Sequence, residues 1–230
     1  MNDVIDYLPA ILAGSLVTLK VGLMALVLAL ALGLVGASAK LSRSRWLSWP
    51  ATAYTSLVRG VPDLVMMLLV FYGGQVIANE LTDALEWPPL EINPFTAGFI
   101  TIGFIFGAYF TETFRGAFMA VPRGQIEAGQ AYGMSRWQVF ARVLFPQMLR
   151  HALPGLGNNW QVMLKSTAIV SLIGLADMTW LADQAGRTTR QPFVFYLIVC
   201  VLYLAMTWVS GRAIGWLDRK YAAGVRQPAS

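Results

Sequence analysis

A chain of 230 residues that is 57% hydrophobic and only 13% charged lacks the balance of a soluble globular domain; it has room for about five membrane-crossing helices of ~20 residues. Its one cysteine, Cys200, and one histidine, His151, exclude a disulfide framework and a cysteine or histidine metal cluster. The formal net charge of +5 comes with no soluble basic domain, which excludes a nucleic-acid partner.

The opening Met-Asn-Asp-Val-Ile-Asp is acidic where a cleaved signal peptide carries positive charge, so the first apolar segment is expected to be retained. Five spans are predicted, over residues 11–37, 62–78, 95–119, 155–176 and 193–217. The second is shortest. Residues 51–60 ahead of it read as its continuation or as a separate interfacial turn, and Pro62 after Gly60 reads as a helix start. Trp46, Trp49, Trp87 and Trp180 fall near span ends as interfacial anchors, Lys20 snorkels, and His151 reads as a loop residue at the membrane surface. Gly103 and Gly107 form a Gly-x-x-x-Gly that suits close helix packing, within the chain or between chains.

Charge orients the stack. Lys40, Arg43 and Arg45 follow the first span, and Arg123, Arg136, Arg142 and Arg150 follow the third, so those loops are expected on the cytoplasmic side. Asp3, Asp6, Glu80, Asp83, Glu86 and Glu91 mark the other side as external, and Arg219, Lys220 and Arg226 bring the C-terminus inside. The expectation is an all-α membrane protein of one domain, residues 1–230 with a core over 11–217, its N-terminus outside and its C-terminus inside.

The longest polar connection, residues 120–153, carries its own punctuation. A helix is expected to start at Pro122, run through Glu127 and Ala131 and end on Gly133 as a left-handed cap. Ser135 with Gln138 fits a capping box that opens a second short helix, ending near Pro146. Small residues Ala128, Gly129 and Ala131 would let another surface approach closely. Two readings remain: a knob for another protein's groove, or an amphipathic linker on lipid with Trp137 and Phe140 buried.

Glu127-Ala128-Gly129, then Gly133, then Val143-Leu144-Phe145-Pro146 resembles the cytoplasmic loop signature of the membrane subunits of bacterial ABC importers of the type I fold. The family's usual form is Glu-Ala-Ala, Gly, then Ile-x-Leu-Pro; Gly129, Val143 and Phe145 are small or apolar replacements. Val58-Arg59-Gly60-Val61-Pro62, the run from Gly107 to Ala117 and Leu164-Lys165-Ser166-Thr167-Ala168 extend the likeness to the polar amino acid uptake branch. Phe118-Met119-Ala120 and the run from Gly157 to Val162 are most similar to one membrane subunit of importers of histidine, lysine, arginine and ornithine, with opine importers next.

The resemblance implies a permease in the bacterial inner membrane, paired as a heterodimer with a second homologous subunit. Two cytoplasmic ATPase subunits would bind ATP and magnesium, and a periplasmic binding protein would deliver substrate. The sequence permits this division, because no Gly-x-x-x-x-Gly-Lys-Ser/Thr phosphate loop occurs in it. Glu127, Ala128, Gly133, Ser135 and Pro146 would then couple the permease to the ATPases.

Charges within spans point to the substrate pathway. Glu112 and Lys165 are expected at similar depths, near enough to pair, and Asn158, Gln161 and Lys165 form one polar stripe at helical spacing. Glu112 has two readings: an ion pair with Arg115 at i,i+3, or contact with a cationic substrate, for which Tyr109 would supply a hydroxyl or ring face. Arg59, at the inner mouth, suits a phospholipid or the loop. Ser166 beside Lys165 lies on a different helical face, which argues against a catalytic dyad and an enzyme. The alternative to an ATP-driven importer is a stand-alone secondary transporter or channel, although five spans do not divide into equal repeats.

Overall fold

The computed structural model describes residues 2–222, with side chains from residue 4 to residue 221. Arg226 and the side chain of Asp3 lie outside the described residues. Helix α1 spans Asn2–Leu41, α2 Arg45–Gly60, α3 Asp63–Leu68, α4 Gly74–Ala84 and α5 Pro94–Ala120. Then follow α6 Arg123–Ala131, α7 Arg136–Val139, α8 Phe145–Ser166, α9 Met178–Thr189 and α10 Pro192–Ala222. Among the described residues there is no strand. Four helices are long and apolar enough to cross a membrane: Val4–Leu41, Asp63–Ala84, Pro94–Ala120 and Pro192–Tyr221. A fifth crossing forms if Arg136–Ile173 and Met178–Thr189, bent by 54°, act together.

Helix α5 is the hub: 61% of its apolar window is buried, against 6% for Asp63–Ala84 and 11% for Pro192–Tyr221. Asn93 starts it, its side-chain oxygen accepting from Phe95 N–H at 2.8 Å. Helix α1 lies along it in parallel. A Cβ on Gly103 would stand 2.8 Å from Leu28, and one on Gly107 2.9 Å from Leu32, while Gly36 faces Thr111. The Gly-x-x-x-Gly thus serves packing inside the chain, letting backbones approach so that dispersion contacts form along the whole crossing. Helix α8 runs antiparallel to α5, with Gly155 and Asn159 at the level of Thr113 and Val170 at the level of Gly98. Helix α10 in turn packs antiparallel to α8 through Gly157 against Ile214. Helices α1, α5 and α10 therefore end on the same side.

Several boundaries differ from expectation. The first helix extends well past both ends of residues 11–37, and Pro9 sits within it. Residues 45–60 form a separate helix, α2, which ends where Val61 and Pro62 adopt extended backbone. Pro62 is the residue before α3, not its first, because its own carbonyl accepts the first helical bond, from Met66 N–H at 3.0 Å. The helix opened by Ser135 does not end near Pro146. It passes through a π turn, Phe140–Leu144, in which Phe145 N–H donates to the Phe140 carbonyl, and continues as α8. Proline lacks an N–H and crowds the carbonyl one turn back; a widened turn accommodates both without breaking the rod. His151 accordingly lies within α8, not in a loop, and the fourth apolar rod starts well before residue 155.

Candidate coupling elbow and pathway

Helix α6 ends as its residues require. Gly133, at φ +80, closes a Schellman turn: its N–H donates to Gln130 O at 2.9 Å, and Met134 N–H donates to Gly129 O at 3.1 Å. Ser135 and Gln138 form the reciprocal box, with Ser135 N–H donating to Gln138 Oε1 at 2.8 Å and Gln138 N–H to Ser135 Oγ at 3.3 Å. The result is a short helix held at a bend against the base of a long rod. Glu127, Ala128, Ala131, Gly133, Ser135 and Pro146 are exposed, and Tyr132 is 87% exposed. Gly129 is turned the other way. It is buried, with Val139 3.2 Å from where its Cβ would be, so it seats α6 on α7 rather than thinning the outer surface. Trp137 stacks on Phe140 at 5.6 Å between centroids and is 72% exposed, so the chain's own helices do not cover it.

Inside the spans, Glu112 is saturated by its own chain. Lys40 Nζ pairs with its Oε1 and Arg115 Nε with its Oε2 at 2.9 Å. Lys40 also donates to Thr55 Oγ1 at 2.9 Å, so the carboxylate ties α1, α2 and α5 together. Lys165 is not its partner: it lies exposed with Asn158, and Gln161 is half-buried near Gly211 on α10. Tyr109 holds the guanidinium of Arg59 over its ring, 5.2 Å from the centroid, so Arg59 turns to this ring rather than to the loop. Tyr54 on α2 donates to the Phe104 carbonyl at 2.5 Å. A cavity of about 290 Å³ between α1, α5, α8 and α10 is lined by Leu26, Leu30, Phe110, Leu156, Trp160 and Ile214 and offers nothing to a charged solute.

Reading the residues alone missed two acids. Asp177, fully buried, caps α9 by accepting from Trp180 N–H at 2.8 Å; an Asp three residues before Trp180, just past Gly174, is a readable helix start. Asp63 accepts from Ser166 Oγ at 3.3 Å, and the Gly60 to Pro62 interruption ahead of it was the signal. Among the described residues no group of three metal-binding side chains gathers.

Long apolar helices around one central helix, with an exposed, doubly capped elbow at one end, define a membrane protein of several spans. The chain belongs to the family described as "Binding-protein-dependent transport system inner membrane component", whose model matches residues 29–223. It is 54% identical to the histidine/lysine/arginine/ornithine transport system permease protein HisQ of Escherichia coli, over 94% of this chain and 95% of the relative. It is 38% identical to the octopine transport system permease protein OccQ of Rhizobium meliloti, over 91% and 89%. A solved amino acid ABC transporter with histidines matches at 32% identity and a TM-score of 0.80, covering 94% of this chain and 96% of that one. The inward-facing MetNI methionine ABC transporter shares the fold, with a TM-score of 0.67 at 15% identity. The chain is thus a multi-pass inner-membrane permease component of an amino acid ABC importer.

Proposed function

We propose that this permease carries basic amino acids (histidine, lysine, arginine, ornithine or a related opine) inward across the bacterial inner membrane, driven by ATP hydrolysed on two partner ATPase subunits. The elbow carries this reading. A helix-bend-helix with exposed Ala128, Gly133 and Tyr132, rigidified by a Schellman turn and a capping box, is shaped to sit in a groove and to transmit force as one body. Glu127, Ser135 and Pro146 complete it. ATP-driven closure of the partners would shift the spans between inward- and outward-facing states, each favoured by differential contacts. A periplasmic binding protein would supply substrate, and a second, unlike permease subunit would complete the pore; the resemblance to one member of an unequal pair supports the heterodimer.

Five spans with the N-terminus outside and the C-terminus in the cytoplasm fit the shared direction of α1, α5 and α10. In a Cys200→Ser background, an impermeant maleimide added outside is expected to label Asp83→Cys and to miss Arg136→Cys; the reverse pattern inverts the topology. The pathway is proposed along the face that bears Tyr109, Asn158, Gln161 and Lys165, with Glu112 fastened beside it.

The complete complex in proteoliposomes, given its binding protein and internal ATP, is expected to accumulate arginine, lysine or histidine. Uptake that follows an ion gradient and ignores ATP would make this a secondary transporter and end the proposal.

A further inference from the structure

Where α5 passes into the elbow, the chain leaves a hollow of about 320 Å³. Its walls are apolar: Leu41 from the end of α1, Phe118 and Met119 from the end of α5, Ile126 from α6 and Leu144 from the π turn. Arg123, the first residue of α6, supplies the one charge in the lining. The volume falls at the low end of the roughly 300–1,000 Å³ of small-molecule sites. Because α1 and α5 both end here, the hollow lies where apolar spans give way to polar chain, at the membrane surface.

Arg123 is exposed and makes no ion pair among the described residues, not even with Glu127 one turn along α6. The neighbouring cations are committed. Lys40 and Arg115 both hold Glu112, and Arg115 also donates to the Met119 sulfur at 3.1 Å. An unpaired guanidinium at the rim of an apolar hollow suits a ligand with a phosphate head and a hydrocarbon tail. The joint beside it is thin: Val121 (φ −75, ψ 123) and Pro122 (φ −61, ψ 132) are extended, and the end of α6 is seated on α7 through Gly129 and Val139.

We infer that the hollow binds one anionic phospholipid, its phosphate on Arg123 and an acyl chain against Phe118, Ile126 and Leu144. On the topology proposed above, this lipid belongs to the inner leaflet. A headgroup with one net negative charge, such as phosphatidylglycerol, matches the single free cation, whereas the ammonium of phosphatidylcholine already compensates its own phosphate. A segment of another protein fits less well, because the walls are the ends of two spans, at a level where lipid is the solvent. A chain seated there braces α6 against α1 and α5 across the extended joint, so the membrane stiffens the elbow.

The test presents the purified complex, in bilayers, with phosphatidylglycerol or phosphatidylcholine bearing a diazirine in the acyl chain. Phosphatidylglycerol is expected to label residues 118–126 about fivefold more than phosphatidylcholine, and Arg123→Gln to remove the difference. Leu41→Trp, which fills the hollow and keeps the charge, is expected to lower labelling as well. Equal labelling by the two lipids, or labelling that both variants leave intact, overturns the site. So does protection of residues 118–126 from both lipids by another subunit, and so does displacement by millimolar inorganic phosphate, which would make Arg123 a site for a soluble anion. Labelling reads binding whether or not the complex imports amino acids, so its failure is distinct from failure of the importer reading. Replacing half of the phosphatidylcholine by phosphatidylglycerol is expected to raise uptake at least twofold in the wild type and not in Arg123→Gln; a rise retained in Arg123→Gln overturns the bracing role.

Discussion

Gly133→Val is expected to lower ATP-driven uptake at least tenfold while the chain inserts and its spans pack as before, whereas Gly133→Asn keeps most of the activity. The reasoning starts from one dihedral. At φ +80 a β-branched residue is strained by about 1–3 kcal/mol, and asparagine by much less. Nothing lies within 4 Å of a Cβ at this position, so the effect comes from the backbone and not from a clash inside the chain. Relaxing φ to a negative value breaks the bonds from Gly133 N–H and Met134 N–H and turns α6 away from the capping box at Ser135. A groove that grips the elbow would then meet the wrong angle. Proteoliposome uptake together with the thermal stability of the purified complex checks this: full uptake in Gly133→Val removes the coupling role, and loss of the folded complex would recast Gly133 as a residue of the core. Glu127→Arg, exposed and outside every ion pair among the described residues, tests the same surface by charge.

The elbow was legible because its determinants are local. A left-handed glycine and a Ser-x-x-Gln box act over a few residues, and both appear in the structure at the positions the pattern indicates. Spans were legible in approximate place because apolar runs are long, yet their ends were not, since helices continue beyond the apolar zone, as in Asn2–Leu41. Pro146 misled for a physical reason: proline ends an isolated helix, but a rod fixed by packing along α8 tolerates it through a π turn. The partners of Glu112 divide in the same way. Arg115 lies three residues away and was visible; Lys40 lies 72 residues away and reaches Glu112 only because glycines at 33 and 36 bring α1 against α5. Depth estimates placed Lys165 near Glu112, but depth along a helix says nothing about which face a side chain occupies. The same limit hid Asp63, whose neighbour Ser166 is 103 residues distant.

Replacing Glu112 by glutamine is expected to destabilise the permease by about 2–4 kcal/mol, somewhat below the roughly 3–5 kcal/mol for removing one member of a fully buried ion pair because water reaches part of this one, and to depress uptake of every substrate alike. The side chains of Lys40 and Glu112 are 12% and 20% exposed, so water screens the pair only in part. In Glu112→Gln two cations face each other with no anion between them, and repulsion adds to lost attraction. Lys40→Met leaves Glu112 its bond to Arg115 and should cost less, while the double variant Lys40→Met, Glu112→Gln should cost clearly less than the sum of the two singles, because the second change removes a charge that the first left stranded. A coupling energy near zero in that cycle, read from thermal unfolding of the purified complex, would show that the contact does not hold α1 to α5. The substrate dependence separates fastening from recognition. Replacing a carboxylate that meets the ligand's cation lowers arginine uptake and spares that of a neutral amino acid, and that outcome for Glu112→Gln would make Glu112 a recognition residue rather than a clasp. An equal fall for both substrates, accompanied by a lower unfolding temperature, is the result a structural clasp requires.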